Sequence, residues 1–461
     1  MGNILPQAAG FLLLPIYTRY LTPADYGVVS SMQALASILA VLFTLAIDRS
    51  IYRLFFDFKT DKEKKDYLGT ISISLVTISA LILSLLFAFS ETISLMYKSI
   101  AFYPYYLYSI ITTYLTVFSI IPKIYFQINE KAGKFVLISI VQFLTSTGFV
   151  FWFVVGEKSG AIGLLKGQLF GIIFVLPLYL YVTYRIINFT FKVQILKNSL
   201  MFSLPMVPGL LSAWVLNISN RVFIERYFDL HDVGIYSIGN KIAGLVLIIT
   251  GAFRLAYSPL FYRLANSINQ VEAKRKLYLY NNTYIVILFA ITLTISVFSK
   301  EAMLLLLDQK YFEAYKLVSL ISIAYLISQA SSLFNLMIYQ EKKVVSLMWI
   351  GLAGAGVNII FNFFLISEMG AYGAAYSSIL SFTLIFMLSL WQAKKCYFVQ
   401  LNWRLLLPLF SLLILIIVFF RLVDINIYIN LLIKVAVCAV IFTLLYKNYF
   451  IHLRSIFQGK L

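Results

Sequence analysis

Long apolar runs restrict the fold of this chain more than any other feature. Fourteen predominantly apolar stretches are separated by charged clusters or turn residues. A helix of about 18 or more such residues crosses a hydrocarbon core of roughly 30 Å. The predicted spans are 4–21, 27–47, 68–89, 101–122, 134–156, 161–184, 201–224, 234–256, 278–299, 315–339, 344–367, 371–392, 404–421 and 428–447. Because the stretches lack the alternation of barrel strands, we expect helices, whose backbone groups are bonded within the segment.

Composition excludes a soluble globular domain. The chain is 61% hydrophobic and 12% charged, whereas charged residues make up about 25% of soluble domains. The fold class predicted from these observations is an all-α integral membrane protein with about fourteen transmembrane helices.

The two halves of the chain repeat one another. Positions Arg19, Asp25, Gly27, Val28 and Ser30 recur 207 residues later as Arg226, Asp232, Gly234, Ile235 and Ser237. The segment Gly160-Ala161-Ile162-Gly163 recurs 210 residues later as Gly370-Ala371-Tyr372-Gly373, where close helix packing or a turn is expected. We predict a six-helix lobe at 1–190, a homologous lobe at 191–400, and two further helices with a tail at 401–461. Such repeats are typical of transporters, with the binding site between the halves, and an even helix count gives the halves parallel topology.

The distribution of basic residues predicts the orientation. About 25 of the 37 Lys and Arg residues lie at the termini and in the even-numbered loops. Positive residues in short loops stay cytoplasmic, so both termini are expected there. The net charge of +18 is explained by anchoring to an anionic leaflet, and no nucleic-acid partner is expected.

Catalytic and metal chemistry find little support in the sequence. The loops on the outer side are short, whereas membrane glycosyltransferases and polymerases usually place acidic residues on a large outer loop. The acidic group Asp229, His231 and Asp232 is interpreted as a turn and helix cap, because Asp232 repeats Asp25 ahead of a glycine. Cys396 and Cys438 form no metal motif. We expect no enzyme activity, no metal and no cofactor.

Polar residues inside the spans are the candidate site, because an intramembrane charge is costly and marks a pathway by default. In the seventh span Asn217, Asn220 and Arg221 share one helix face, and in the eighth span Asn240 and Lys241 do the same. The candidate substrate-binding cations are Arg19, Arg49, Arg221, Arg226, Lys241 and Arg254; the candidate lining amides are Gln33, Asn217, Asn220 and Asn240. Asp48 is a candidate for ion coupling by H⁺ or Na⁺.

Structural interpretations of these residues remain open at this point. Arg19, Arg49, Arg226 and Arg254 lie near the predicted interfaces, where snorkelling to lipid phosphate is the ordinary explanation. Arg221 and Lys241 could instead pair with Glu225 or Asp48. Further amides could line a cavity or join helices, and they are Gln142, Gln168, Gln329, Asn335, Asn358 and Asn362.

The sequence resembles the Wzx-type oligosaccharide flippases of the multidrug/oligosaccharidyl-lipid/polysaccharide exporter superfamily. The resemblance is carried by Leu14-Pro15-Ile16-Tyr17-Thr18-Arg19-Tyr20-Leu21-Thr22-Pro23-Ala24-Asp25-Tyr26-Gly27, Ser203-Leu204-Pro205, Asn220-Arg221 and Val233-Gly234-Ile235-Tyr236-Ser237. It implies two lobes around a V-shaped, alternating-access cavity lined by helices 1, 2, 7 and 8. It also implies a bacterial inner-membrane protein that moves undecaprenyl-pyrophosphate-linked oligosaccharide to the periplasmic leaflet. The first helix is shorter than the resemblance implies.

The function predicted on these grounds is lipid-linked oligosaccharide flipping, for O-antigen, capsule or exopolysaccharide assembly. Expected partners are the lipid-linked oligosaccharide, membrane lipids, and the polymerase and chain-length proteins of such a pathway. The alternatives are a small-molecule or multidrug exporter of the same superfamily, or a membrane polymerase or glycosyltransferase. A basic cavity disfavours the exporter, whose cationic substrates require acidic residues.

Overall fold

The computed structural model of the chain describes residues 11, 13–422 and 427–445. Throughout these ranges the regular structure is helical, and they contain no β-strand. The predicted class, an all-α integral membrane protein, is therefore confirmed. Helices form because long apolar segments satisfy their own backbone hydrogen bonds in lipid.

Residues 11–243 form thirteen α-helices within the described ranges, joined by short turns. They are α1 (Leu14–Tyr20), α2 (Pro23–Thr44), α3 (Ile47–Leu54), α4 (Asp61–Ala88), α5 (Ser90–Ser94), α6 (Leu107–Thr116), α7 (Ile120–Ile128), α8 (Ala132–Phe151), α9 (Gly160–Ile186), α10 (Val193–Ser203), α11 (Val207–Ile218), α12 (Asn220–Tyr227) and α13 (Leu230–Ala243).

The remaining described residues form α14 to α22. These helices are α14 (Leu245–Ala265), α15 (Gln270–Val297), α16 (Ser299–Leu306), α17 (Tyr315–Gln340), α18 (Val344–Phe361), α19 (Ser367–Met369), α20 (Ala371–Ala393), α21 (Trp403–Leu422) and α22 (Ile427–Leu445). Short π-helical segments cover Phe102–Tyr106, Trp152–Gly156 and Asn362–Ile366, and 3-10 turns cover Phe55–Asp57, Val117–Ser119, Leu204–Met206 and Gln309–Ala314.

The chain divides into two compact units. Unit 1 comprises Met1–Ser237 and Asn362–Ala371, and unit 2 comprises Ile238–Phe361 and Tyr372–Leu461. Helix α13 passes from unit 1 to unit 2 after Ser237. The predicted lobes 1–190 and 191–400 with the appended segment 401–461 describe the sequence repeat, and their boundaries stay predictions.

Twelve helical segments of the described chain are long and apolar enough to cross a membrane. They coincide with the second to the thirteenth predicted spans. They are Pro23–Thr44, Asp61–Ala88, Phe102–Ile128, Ala132–Gly156, Gly160–Ile186, Val193–Ile218, Leu230–Ala265, Gln270–Val297, Gln309–Gln340, Val344–Met369, Ala371–Ala393 and Trp403–Leu422.

The first and last predicted spans are not among these twelve. Most of the span predicted at 4–21 lies outside the described residues, although α1 covers its end. The span predicted at 428–447 corresponds to α22, in which the apolar stretch is the shorter segment Ile429–Ile441. The chain is thus a multi-pass membrane protein, and the number fourteen stays a prediction.

The start of α2 follows directly from its sequence. Thr22 accepts a hydrogen bond from the backbone N–H of Asp25 at 3.1 Å, while the Asp25 carboxylate accepts from the Thr22 backbone at 3.0 Å. This reciprocal capping box satisfies N–H groups that the first helical turn leaves unbonded. Pro23 occupies the first turn, where its missing N–H costs nothing. The helix ends before Leu45 and Ala46, which both adopt left-handed backbone conformations.

Candidate functional site

The seventh predicted span contains a break at Ser219. The sequence predicts one continuous helix over 201–224, but α11 ends at Ile218 and α12 begins at Asn220. Ser219 itself keeps a helical backbone conformation, with φ −59° and ψ −26°, so the break is a local irregularity in helical chain. The Ser219 hydroxyl donates to the Val215 carbonyl at 2.6 Å, and such a bond one turn back bends helices.

Arg221 lies just beyond this break, in the first turn of α12. Its side chain is half-buried, and its Nε donates to the Ser237 hydroxyl of α13 at 3.2 Å. A second, longer contact of 3.5 Å joins Nη1 to the Asn217 carbonyl. Among the residues that the structure describes, no carboxylate forms an ion pair with Arg221. The hydrogen bonds described for the guanidinium join it to uncharged groups, the Ser237 hydroxyl and the Asn217 carbonyl.

The two carboxylates that could have paired with Arg221 have other partners. Buried Glu225 accepts the backbone N–H groups of Lys98 and Ser99 at 3.0 and 2.5 Å. Asp48 lies 3.3 Å from Nε of its neighbour Arg49. Among the described contacts, neither Glu225 nor Asp48 therefore forms an ion pair with Arg221.

Tyr97 is a buried tyrosine whose pKa is affected by the charge of Arg221. This tyrosine lies in the connection between two membrane-spanning segments and is 1% exposed. Burial raises the pKa of the Tyr97 phenol, and the positive charge of Arg221 opposes that rise. The buried carboxylate of Glu225 raises the pKa of the same phenol, so a positive and a negative charge both act on Tyr97.

The two amides beside Arg221 have different environments. Asn217 is exposed, and its Nδ2 donates to the Ala213 carbonyl at 2.8 Å. Asn220 is 1% exposed; its Nδ2 donates to the Tyr236 hydroxyl at 2.7 Å, and its Oδ1 accepts from Asn362 at 2.9 Å. In this conformation Asn220 is bonded to protein groups, which is how amides join helices.

The other unit 1 candidates are all exposed. Gln33 lies on α2, Arg49 on α3, and Arg19 near the end of α1. Arg226 lies in the last turn of α12, with Nη1 3.5 Å from the Leu95 carbonyl. Among the described contacts, none joins Gln33 or Arg49 to Arg221. The structure therefore brings Asn217, Asn220, Arg221 and Arg226 onto adjacent turns and leaves the others as separate cations or amides.

Three candidates belong to unit 2. Asn240 and Lys241 are half-buried on α13, and Arg254 is exposed on α14. The Tyr325 hydroxyl of α17 donates to Asn240 Oδ1 at 2.7 Å. Asn240 is thus held by a hydrogen bond to a tyrosine of the same unit.

The repeated glycines mark a close helix crossing inside unit 1. A Cβ atom on Gly27 of α2 would lie 1.8 Å from the Leu230 carbonyl oxygen, and one on Gly234 of α13 would lie 1.9 Å from the Pro23 carbonyl oxygen. Each glycine of the repeat therefore packs against the start of the other's helix. The sequence repeat corresponds here to a reciprocal contact that only residues without a side chain permit.

The second repeated motif forms a turn, as expected. Gly160 and Gly370 have φ values of +57° and +55° and each precedes or begins a helix. The Asp25 carboxylate, which already caps α2, also accepts the Ala161 N–H at 3.2 Å. One aspartate thus stabilises the starts of both α2 and α9.

Trp214 is a site residue that the sequence analysis missed. Its indole Nε1 donates to the Ala34 carbonyl at 3.0 Å and to the Ser37 hydroxyl at 3.1 Å, which ties α11 to α2. A signal was available, because a tryptophan N–H inside a span requires a partner. The contacts of Glu225 with Lys98 and Ser99 had no such signal in the sequence.

The acidic group in the connection before α13 behaves as a cap. Asp229, His231 and Asp232 lie within 4.8 Å of one another and are mostly exposed. Asp229 Oδ1 accepts the Asp232 N–H at 2.9 Å, which is the contact of a helix-capping residue. The predicted turn and helix cap is therefore confirmed.

Comparison with solved structures identifies the fold. The lipid II flippase MurJ in an inward closed conformation has the same fold, with a TM-score of 0.75, 13% identity, and coverage of 97% of this chain and 98% of that chain. An inward-facing multidrug resistance MATE family transporter of the MOP superfamily gives a TM-score of 0.66 at 14% identity, over 86% and 94% of the two chains. A MATE transporter from Vibrio cholerae gives 0.51 at 14% identity, over 85% and 98%. The chain has a MOP-type transporter fold.

A match to a protein-family model then identifies the family of the chain. The model for the family described as polysaccharide biosynthesis protein matches residues 1–265. The chain belongs to this family, and the resemblance seen in the sequence is confirmed. No curated protein matches the chain significantly.

Proposed function

We propose that this protein is a flippase that carries undecaprenyl-pyrophosphate-linked oligosaccharide from the cytoplasmic to the periplasmic leaflet. Two findings support the proposal at a coarser level. The chain belongs to the polysaccharide biosynthesis protein family, and a lipid II flippase is among the solved structures with the same fold.

The observation that carries the proposal is the unpaired charge of Arg221. Arg221 follows the membrane-spanning segment Val193–Ile218 by three residues, and a half-buried charge is costly unless it meets a partner. In the described conformation Arg221 bonds a serine hydroxyl and a backbone carbonyl. A diphosphate supplies the missing negative charge, and the planar guanidinium can bind two of its oxygens at once.

The remaining candidates complete the proposed site. Lys241 would share the diphosphate with Arg221, helped by Arg19, Arg49, Arg226 and Arg254. The amides Gln33, Asn217 and Asn240 would bind the sugar. Asn220 can join them only in a conformation where its bonds to Tyr236 and Asn362 open. The isoprenoid tail would remain in lipid.

The organisation proposed for transport follows the sequence repeat. Lobes at 1–190 and 191–400 of parallel topology would rock about a central cavity, with helices 401–461 appended. Both termini would be cytoplasmic and the protein would reside in the bacterial inner membrane. The polymerase and chain-length proteins of the assembly pathway would receive the product.

The membrane potential is a sufficient driving force. Because the cytoplasm is negative, an anionic lipid gains about 2.3 kcal/mol per charge for each 100 mV that it crosses outward. Asp48 is the candidate for coupling to H⁺ or Na⁺, but its contact with Arg49 gives it a local partner. We propose that the potential alone drives export.

An exporter of small molecules is the second candidate, because multidrug transporters share the fold. Its cationic substrates would meet like charge at Arg221 and Lys241, which disfavours it. A polymerase or glycosyltransferase role is disfavoured because the solved structures with this fold that are named above are transporters.

Depletion of the protein in its native cell tests the proposal. We expect intact lipid-linked oligosaccharide to accumulate on the cytoplasmic leaflet, both on depletion and in an Arg221→Gln strain with normal membrane insertion. Arg185→Gln is the matched control, because Arg185 is an exposed arginine whose guanidinium lies over the Tyr181 ring at 5.3 Å. Normal surface glycan without accumulation would favour the exporter, and covalently altered lipid would favour the enzyme.

A further inference from the structure

Unit 2 contains a basic cavity that the proposed transport site does not use. The cavity has a volume of about 470 Å³ and lies where α15 ends and α17 begins, against α20, α21 and α22. Its lining includes four cationic side chains, Lys300, Lys316, Arg421 and Lys434. Among the described residues that line it, none is acidic. The walls therefore present positive charge and hydroxyl groups.

A buried ion pair fixes one of these cations. Lys434 is 3% exposed, and its Nζ donates to Glu301 Oε1 at 2.7 Å. An ammonium group has three N–H donors, so this bond holds Lys434 in place while other donors can face the cavity. The pair also joins α22 to α16, which gives that wall a defined geometry.

Two further cations line the cavity from different helices. The Arg421 guanidinium, in the last turn of α21, lies over the Tyr372 ring at 5.6 Å. Lys316, near the start of α17, lies 3.3 Å from the exposed carboxylate of Glu313. A solvent-exposed pair of this kind is weak, so Lys316 can exchange its partner for a stronger anion.

The cavity also contains a hydroxyl that is buried without a hydrogen-bond partner. Ser296 is 7% exposed and lines the cavity. Its Oγ forms no hydrogen bond with any residue that the structure describes. A buried hydroxyl without a hydrogen-bond partner costs free energy. An anionic oxygen in the cavity would accept a hydrogen bond from the Ser296 hydroxyl.

An apolar cavity adjoins the basic one. Phe420 lines both, and the second cavity, of about 440 Å³, is otherwise formed by Leu415, Ile416, Val418, Phe419 and Val437. The apolar cavity is an open groove, in which Leu415, Val418 and Phe419 are exposed. A cationic cavity that shares a wall residue with such a groove suits an amphiphile with an anionic head. It suits a free anion less well, since a free anion gains nothing from the apolar compartment.

We propose that this cavity binds the phosphate or diphosphate head group of a membrane lipid, through Lys316, Arg421, Lys434 and the Ser296 hydroxyl. The site is distinct in its residues from the candidate transport cations and does not depend on the proposed function. Its ligand could be an anionic phospholipid or a polyprenyl diphosphate, which share the same head-group chemistry.

Native mass spectrometry of the full-length protein in detergent tests the proposal. The probes are geranylgeranyl diphosphate, phosphatidylglycerol and inorganic pyrophosphate, titrated separately. All measurements use the Arg221→Gln background, so that binding at the proposed transport site is weakened equally in every sample. Arg421→Gln is the test variant. Arg404→Gln is the matched control, because Arg404 is an exposed arginine in the first turn of the same helix, α21.

We expect Arg421→Gln to weaken binding of at least one lipid probe about tenfold, which corresponds to about 1.4 kcal/mol. Lys316→Gln and Ser296→Ala should each weaken the same probe by a smaller factor, and Arg421→Lys should restore most of the affinity. The lipid that responds identifies the source of the head group. These four variants leave the buried Lys434–Glu301 pair intact, so their folding should be preserved, and size-exclusion chromatography checks this.

Two results would overturn the proposal. The first is that the Arg421→Gln variant binds each lipid as tightly as the Arg404→Gln control and the Arg221→Gln parent protein do. The other is a response limited to inorganic pyrophosphate, which would mean that the apolar compartment takes no part.

Discussion

Replacement of Gly27 by alanine tests whether the reciprocal glycine crossing organises unit 1. A Cβ at this position would lie 1.8 Å from the Leu230 carbonyl oxygen. Real Cβ atoms essentially never approach a neighbour closer than 3.0 Å, so the two helix starts must separate by about 1.2 Å. The neighbour is backbone and cannot rotate away.

The magnitude follows from two opposing effects. Overpacking of a tight contact costs about 1–3 kcal/mol, and alanine regains up to about 1 kcal/mol of helix propensity over glycine. We therefore expect Gly27→Ala to lower the free energy of unfolding by about 1–2 kcal/mol. Gly234→Ala should cost a similar amount. The double variant should cost less than the sum, because one separation of the helices relieves both clashes.

A matched glycine elsewhere provides the control. Gly251 lies inside α14, and a Cβ there would meet nothing within 4 Å. Gly251→Ala should therefore be neutral or stabilising by up to about 1 kcal/mol. The assay is the midpoint of thermal unfolding in detergent, followed by loss of the monodisperse size-exclusion peak. Equal midpoints for Gly27→Ala and Gly251→Ala would refute the reasoning.

Three further substitutions test separate contacts. Asp25→Ala removes the carboxylate that accepts the Thr22 N–H at the start of α2 and the Ala161 N–H at the start of α9, so it should cost about 1–2 kcal/mol in the same thermal assay; an unchanged midpoint would mean that water replaces the carboxylate. Glu225→Ala leaves two N–H groups without their acceptor, and we expect a loss of about 2–4 kcal/mol together with faster hydrogen exchange at Lys98 and Ser99, whereas exchange at its original rate would contradict this role. Asp48→Asn should retain flipping within about twofold in vesicles with an imposed potential; loss of flipping with normal insertion would instead indicate proton coupling.

Much of the helical architecture is predictable because lipid imposes a length on apolar segments. The second to thirteenth spans are helices in the structure, and the predicted 161–184 and 371–392 differ from Gly160–Ile186 and Ala371–Ala393 by only a few residues. Helix ends outside the hydrocarbon core are less predictable. The eighth span was predicted at 234–256, yet helical structure extends over Leu230–Ala265, because polar residues in water can continue a helix without any apolar signal.

The break in the seventh span shows a different limit. Residues 217–221 contain no proline or glycine, so the local sequence predicts one regular helix across Ser219. The break depends on a hydroxyl bonded back to Val215. Serine is compatible with either geometry, and the choice is made by tertiary contacts that the local sequence does not contain.

The proximity of the candidate residues along the chain was predictable, but their hydrogen-bond partners were not. The spacing of Asn217, Asn220 and Arg221 placed them on adjacent turns, as the structure does. Burial of Asn220 against Tyr236 and Asn362 was not predictable, because Asn362 lies 142 residues further along the chain. The same limit applies to Glu225, whose partners Lys98 and Ser99 precede it by 127 and 126 residues.

The central claim is that this protein carries an anionic lipid-linked oligosaccharide across the membrane and that the positive charge of Arg221 binds its pyrophosphate. The most direct measurement reconstitutes the purified protein in sealed vesicles with undecaprenyl-pyrophosphate-linked oligosaccharide and follows exposure of the glycan to an impermeant glycosidase. We predict rapid exposure of the glycan from both leaflets with the wild-type protein and with Arg185→Gln, and exposure of about half, as in protein-free vesicles, with Arg221→Gln. Full exposure by the Arg221→Gln protein at the wild-type rate would contradict the account.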